Sequence, residues 1–232
     1  MRVFILFDLE GVTGYGCTNI SGSTKEFAYS DVNAAIRGAK KGGATDIIVG
    51  DWHAYGGNLN PKKLVQPVRL EQYADRFEIQ NQQIDRCFFL GCHAMAGTPN
   101  TVDPHTEEYY IQNAFVDNQK IGEVGLIAYY FSAMKIPVVL FEGSAEAMME
   151  VREIMPDAVC VAVKRGFESL SPEESAKQIE DSAMLAIQTK PKLVYPKKQE
   201  LRVEFTDGTQ KTYREKNFQR IYDQFTIDLT ET

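Results

Sequence analysis

Histidine is scarce in this 232-residue chain, with three in all, beside a single tryptophan and four cysteines. The cysteines (Cys17, Cys87, Cys92, Cys160) are dispersed and form no C-x-x-C pair, which argues against a disulfide-stapled scaffold or a zinc ribbon. A reducing compartment suffices for them. No run approaches the roughly 20 apolar residues of a membrane span, and the apolar start at residues 3–7 is broken by Asp8 and Glu10 before the core of a signal peptide could form. Positive charge is also short: 25 Lys and Arg against 32 Asp and Glu give a net charge of −7. Such a balance is ill suited to neutralising phosphates. The expectation is a cytoplasmic protein with neither a membrane nor a nucleic acid as partner.

What is present has the texture of a globular domain. Hydrophobic residues make up 44% and charged residues 25%, enough for a sizeable core. Residues 3–7 are wholly apolar and end at Asp8, the pattern of a strand buried on both faces of a parallel sheet. Val32, Ala35, Ile36 and Ala39 recur at helical spacing, which predicts a helix over 31–41 with Ser30 as N-cap and Gly42-Gly43 as its stop. Residues 47–49 give a second strand, so strand, helix and strand form a right-handed parallel crossover. A third strand at 87–90 runs into Gly91-Cys92-His93. Residues 109–116 and 119–122 flank Asp117-Asn118 and read as a β-hairpin.

A helix opening at Glu123, a strand at 137–141, a helix near 145–154, a strand near 158–163 and a helix at 172–188 continue the alternation. The last is announced by a capping box, Ser171 to Glu174, with Pro172 in its first turn. The expected fold class is α/β, a mostly parallel sheet sandwiched by helices in three layers, with a small C-terminal α+β appendage. Residues 1–189 are the main domain. Residues 190–232 open on a Lys- and Pro-rich stretch and continue as hairpin plus helix, an appendage packed on the main domain or used in assembly.

Ligands of open α/β sheets collect beyond the carboxyl ends of the strands. Here the first strand ends in Asp8 and Glu10, the second in Asp51 and His53, and the third in His93, with His105 in the loop beyond. Every histidine of the chain lies in that set. Glu123 could join them, although an acid at a helix start also suits the helix dipole. Carboxylates with imidazoles are the ligand chemistry of zinc, and five or more exceed the four positions of one tetrahedral ion. Two metals are the economical reading, with Asp8, nearest its strand, as the best bridge. Such a pair activates a water and polarises the bond it attacks. Taken singly, Asp8 and Glu10 also read as turn residues and His53 or His93 as a structural histidine; only the conjunction points to a metal. Cys92 reads as a buried inert thiol.

In order and approximate spacing, Asp8-Leu9-Glu10-Gly11, Asp51-Trp52-His53, Leu90-Gly91-Cys92-His93-Ala94, His105-Thr106 and Ile121-Gly122-Glu123-Val124-Gly125-Leu126-Ile127-Ala128 resemble the zinc-dependent D-aminopeptidase family (DppA-like). The likeness spans roughly residues 1–190. It implies a di-zinc aminopeptidase that releases N-terminal D-amino acids such as D-Ala from short peptides through a metal-activated water. It implies Asp8 as the bridging ligand, Glu10 and His93 completing one zinc site, His53 and Glu123 the other, and His105 as the catalytic histidine. It also implies a ring-like homo-oligomer, a fivefold-symmetric decamer. Trp52 and Asp103-Pro104 depart from the family pattern. From the residues alone, another metal-dependent amidase, a phosphoester hydrolase or a binding module on the same scaffold stays open.

Overall fold

Alternation along the first apolar run decides where the two halves of the core lie. Val3, Ile5 and Phe7 of strand β1 (Arg2–Phe7) face one side of the sheet, and Phe4 and Leu6 face the other. The computed structural model describes residues 1–190 and 192–230; Pro191, in the Lys- and Pro-rich stretch, and the last two residues of the C-terminal segment lie outside the described residues. After β1 come α1 (Thr24–Lys41), β2 (Asp46–Asp51), β3 (Arg69–Gln72), β4 (Arg86–Cys92), and the hairpin of β5 (Ile111–Val116) and β6 (Gln119–Ile121). Then follow α2 (Glu123–Ala133), β7 (Val138–Ser144), α3 (Ala145–Ile154), β8 (Val159–Arg165), β9 (Glu168–Ser169) and α4 (Pro172–Gln188). The chain closes with β10 (Glu200–Phe205), β11 (Gln210–Arg214) and α5 (Phe218–Thr230).

The main sheet has seven strands in the order β3-β2-β1-β4-β7-β8-β9, all parallel except β9, which runs against β8. On one face α1 and α4 bury Val32, Ile36, Ile179 and Ala183 against β1, β2 and β4. On the other, α2, α3 and α5 contribute Leu126, Phe131, Val151, Ile221 and Phe225 to a second core. The expected three-layer α/β architecture is therefore present.

A second, antiparallel sheet of order β11-β10-β5-β6 lies beside it. Its β5–β6 turn has both Asp117 and Asn118 at positive φ, 54° and 64°, the two-residue geometry that matches strand twist. The C-terminal hairpin adds to this sheet, with Val203 of β10 opposite Ala114 of β5. Tyr213 and Phe225 then meet edge to face at 5.5 Å, fastening α5 over the hairpin.

Two local features depart from the sequence reading. The helix predicted at 31–41 begins at Thr24, and its N-cap is Ser23 rather than Ser30. Nothing in residues 24–30 breaks a helix, and Ala28 and Tyr29 are buried, so packing extends it by two turns. Polar β3 and the 3₁₀ segment Tyr73–Asn81 carry no clear periodicity and were not anticipated. Among the described residues, no helix is long and apolar enough to cross a membrane.

Candidate metal centre

Because β2, β1 and β4 are neighbours, with Phe7 in register with Asp51 and Leu90, the residues just beyond their ends converge. The Asp8 amide donates to Leu90 O at 3.0 Å and the Gly11 amide to Gly91 O at 2.8 Å. This contact needs bare backbone. A Cβ on Gly91, whose φ is +79°, would lie 2.0 Å from Asp8 O, and one on Gly11 would lie 2.1 Å from the Gly91 carbonyl carbon. Glycine at both positions lets the loops carrying Asp8 and His93 touch.

Asp8, Glu10 and His53 bring one ligating atom each to within 4.8 Å of one another, and His93, His105 and Glu123 do the same. Asp8 joins the groups: its Oδ1 lies 3.2 Å from His53 Nδ1 and its Oδ2 3.5 Å from His93 Nε2. Glu10 Oε2 is 3.0 Å from His53 Nδ1. Glu123 Oε1 is 3.2 Å from His93 Nε2 and 3.9 Å from His105 Nε2. Glu10 stands with His53 on the β2 flank of Asp8, and Glu123, brought in by the start of α2, stands with His93 on the β4 flank. Asp51 does not join them. Its carboxylate accepts from the Asn58 amide at 2.6 Å and the Leu59 amide at 2.9 Å and so organises the loop after β2.

The donor set fits a pair of cations. Asp8 Oδ2, Glu10 Oε2 and His93 Nε2 are buried without a hydrogen-bond partner among the described residues despite their mutual proximity, a costly arrangement unless an ion is coordinated there. His93 Nδ1 donates to Ala94 O at 3.1 Å, which leaves Nε2 with a lone pair for a metal. Burial, reinforced by the charge of Glu10, pushes the Asp8 carboxyl up to about 7. Burial also opposes ionisation of Glu10, but the contacts with His53 and Asp8 outweigh it and hold that carboxyl at about 2. Burial disfavours charge on His53 and His93 as well, yet the surrounding carboxylates raise both to about 10. Without a metal, protons on the imidazoles offset the negative charge, and these a divalent cation would displace.

His105 stacks between His93, with centroids 4.1 Å apart, and Tyr109, at 4.8 Å. Its Nδ1 donates to Asp103 O at 3.0 Å, and the Asp103 carboxylate accepts from the hydroxyls of Tyr15 at 3.0 Å and Tyr109 at 2.8 Å. Sequence reasoning missed this clamp, as it missed Glu107. The Glu107 amide donates to Glu123 Oε1 at 2.6 Å, and its carboxylate accepts from Tyr222 OH at 2.7 Å. Burial, then the charge of Glu123, pushes the Glu107 carboxyl up to about 8. Lys164, also missed, is buried and donates to the carbonyls of Glu10 and Tyr15, supporting the ligand loop from below. Only closeness to His105 in sequence pointed toward Asp103 and Glu107, and nothing pointed toward Lys164. Burial drives the Cys92 thiol well above its ordinary range, as expected of an inert cysteine. The ligand groups open into a cavity of about 390 Å³ that Tyr15, Tyr55, Glu107 and Tyr109 also line.

The family model for D-aminopeptidases (Peptidase_M55) matches residues 1–222. The chain belongs to the D-aminopeptidase family. Like other members it is thereby a hydrolase of the aminopeptidase class, as the sequence resemblance implies. The D-aminopeptidase of Bacillus subtilis (strain 168) is 26% identical over 226 residues, which cover 89% of this chain and 82% of that relative. The solved structure described as the Zn-dependent D-aminopeptidase DppA from Bacillus subtilis, a self-compartmentalizing protease, superposes with a TM-score of 0.85 at 23% identity. The match covers 100% of this chain and 97% of that one, so the two D-aminopeptidase-family folds correspond from end to end.

Proposed function

We propose that this chain is a di-zinc aminopeptidase that removes N-terminal D-amino acids, D-alanine among them, from short peptides. The observation that carries the reading is the meeting of two ligand groups on Asp8, with buried carboxylate and imidazole atoms that have no hydrogen-bond partner. Asp8 would be shared by the two ions, with Glu10 and His93 completing one site and His53 and Glu123 the other, as the family resemblance implies. Zinc bound there supplies a nucleophilic water at neutral pH and an electrophile for the scissile carbonyl oxygen.

The chain's own groups do the rest. His105 is fixed through Nδ1 to the Asp103 carbonyl, so its Nε2 is the nitrogen that accepts a proton from the attacking water and delivers it to the departing amine. Tyr109 and His93, stacked on either side, hold the ring in plane for that transfer. The 390 Å³ cavity is large enough for the end of a short peptide. Assembly into a ring-like homo-oligomer, a fivefold decamer, and residence in the cytoplasm belong to the same reading, supported by the self-compartmentalizing DppA neighbour and by four free cysteines.

Elemental analysis of the purified protein followed by hydrolysis of paired D-Ala and L-Ala dipeptides tests it. The expected result is about two zinc equivalents per chain, as a two-metal site requires, with chelator-sensitive release favouring the D-peptide. A metal-free active enzyme, or activity confined to phosphoesters, would overturn it.

A further inference from the structure

We infer that Glu107 receives the α-ammonium group of the substrate, in a small aromatic-walled cavity beside the ligand groups; the inference rests on the aminopeptidase reading and deepens it. An aminopeptidase must distinguish a free N-terminal amine from an acylated one, and at neutral pH that amine is a cation. Next to the main cavity lies one of about 50 Å³, walled by Trp52, Tyr73, Phe89 and Tyr222 and reached by the carboxyl-bearing residues Asp8, Glu107 and Glu123. A water-sized group needs only about 10–15 Å³ of such space, so an ammonium group fits.

The lining chemistry selects a cation. Aromatic faces and carboxylates both attract positive charge, and among the described residues no lysine or arginine lines either cavity. Among the acids, Asp8, Glu10 and Glu123 stand in the ligand groups. Glu108 reaches only the larger cavity. Glu107 is the acid left over that lines both.

Its geometry is that of a fixed receptor. Glu107 has φ +62°, a left-handed conformation that an L-residue adopts only where its surroundings enforce it. The amide is held by Glu123 Oε1 and the carboxylate by Tyr222 OH through Oε1. Tyr222 OH occupies Oε1, which leaves Oε2 as the oxygen for an ammonium group. The backbone link to Glu123 sets that receptor next to a residue of the β4-flank ligand group, so a bound amine would register the peptide against the site of attack.

The test compares D-alanyl-p-nitroanilide with propionyl-p-nitroanilide, which lacks only the α-amine, on the zinc-loaded wild-type enzyme and on Glu107→Gln. The variant should retain its zinc by elemental analysis and lower kcat/KM for the aminoacyl compound about 10- to 100-fold more than for the propionyl compound, the effect of losing one charge-assisted hydrogen bond. The preference for the amine then shrinks by that factor. Tyr222→Phe keeps the carboxylate but loosens it, and should shrink the preference by roughly 2- to 10-fold. An undiminished preference in Glu107→Gln, or an equal loss on both substrates, overturns the assignment. If that variant fails to fold, an unchanged preference in Tyr222→Phe does so. A wild-type enzyme that cleaves no aminoacyl substrate removes the aminopeptidase reading, and this inference with it.

Discussion

A single hydrogen bond through Nδ1 and two stacked neighbours leave His105 with one nitrogen for chemistry. His105→Ala removes that nitrogen and leaves Asp8, Glu10, His53, His93 and Glu123 in place. Bound zinc should therefore stay near the wild-type level while turnover falls at least ~10²-fold, the usual worth of an acid/base group. Zinc lost in parallel with activity would instead make His105 a ligand, since it also lies within reach of His93 and Glu123. Asp31 makes a different kind of claim. Buried in α1, it accepts from the Thr13 amide at 2.8 Å and the Thr13 hydroxyl at 3.0 Å, bracing the loop that follows Glu10. Burial pushes its carboxyl from 3.8 to about 7, against those bonds and the charge of Lys164. A raised folded-state value means stability that is complete below 3.8 and lost as pH rises to about 7. Asp31→Asn presents the neutral form at every pH, and the Thr13 hydroxyl can turn to accept from its amide. Its melting temperature should fall less steeply than the wild type's between about pH 4 and 7, a difference of ~1–3 kcal/mol over the window. Parallel curves would rule this out.

Strand ends rather than strands carry the chemistry, and their closeness depends on backbone that nothing may crowd. Gly91→Ala would drive a methyl group to 2.0 Å from the Asp8 carbonyl oxygen at a left-handed φ. The variant should lose about 3 kcal/mol in denaturant unfolding and bind zinc more weakly, because Asp8 and His93 are pushed apart. Wild-type affinity in that variant would mean that the loop contact is incidental. At this scale much was legible in the sequence. Apolar runs closing on an acid or imidazole marked β1, β2 and β4, and a capping box marked α4, because those signals are local. The β5–β10 pairing was not legible, since Ala114 and Val203 are joined by packing across most of a domain and no local pattern encodes register between distant hairpins. The start of α1 was missed for the converse reason: burial of Ala28 and Tyr29 extends a helix whose apolar period only becomes clear at Val32. Glu107 follows no period, and its role depends on Tyr222 of α5, more than a hundred residues away.

For the molecule as a whole, three of its 32 acidic side chains, Asp8, Glu10 and Glu123, share one rim of the sheet. Folding this rim without a cation confines three carboxylates: burial and the charge of Glu10 raise Asp8 to about 7, and the carboxylates hold protons on His53 and His93, at values near 10, that a cation must displace. A metal that binds only the folded state stabilises it by mass action, about 2.7 kcal/mol when free metal is at 100 times its dissociation constant. In a domain of this length each kcal/mol moves the melting temperature by roughly 2–4 °C. Zinc added to metal-stripped protein should therefore raise Tm by about 5–10 °C, and a chelator should reverse the rise. Asp8→Asn, which strikes the residue common to both groups, should abolish nearly all of it. Glu10→Gln, which removes a ligand of one site only, should retain part of the shift. The ordering of the two variants is the discriminating result, because a single shared site would be damaged by both alike, whereas two sites hinged on one carboxylate are lost together only when that carboxylate is changed.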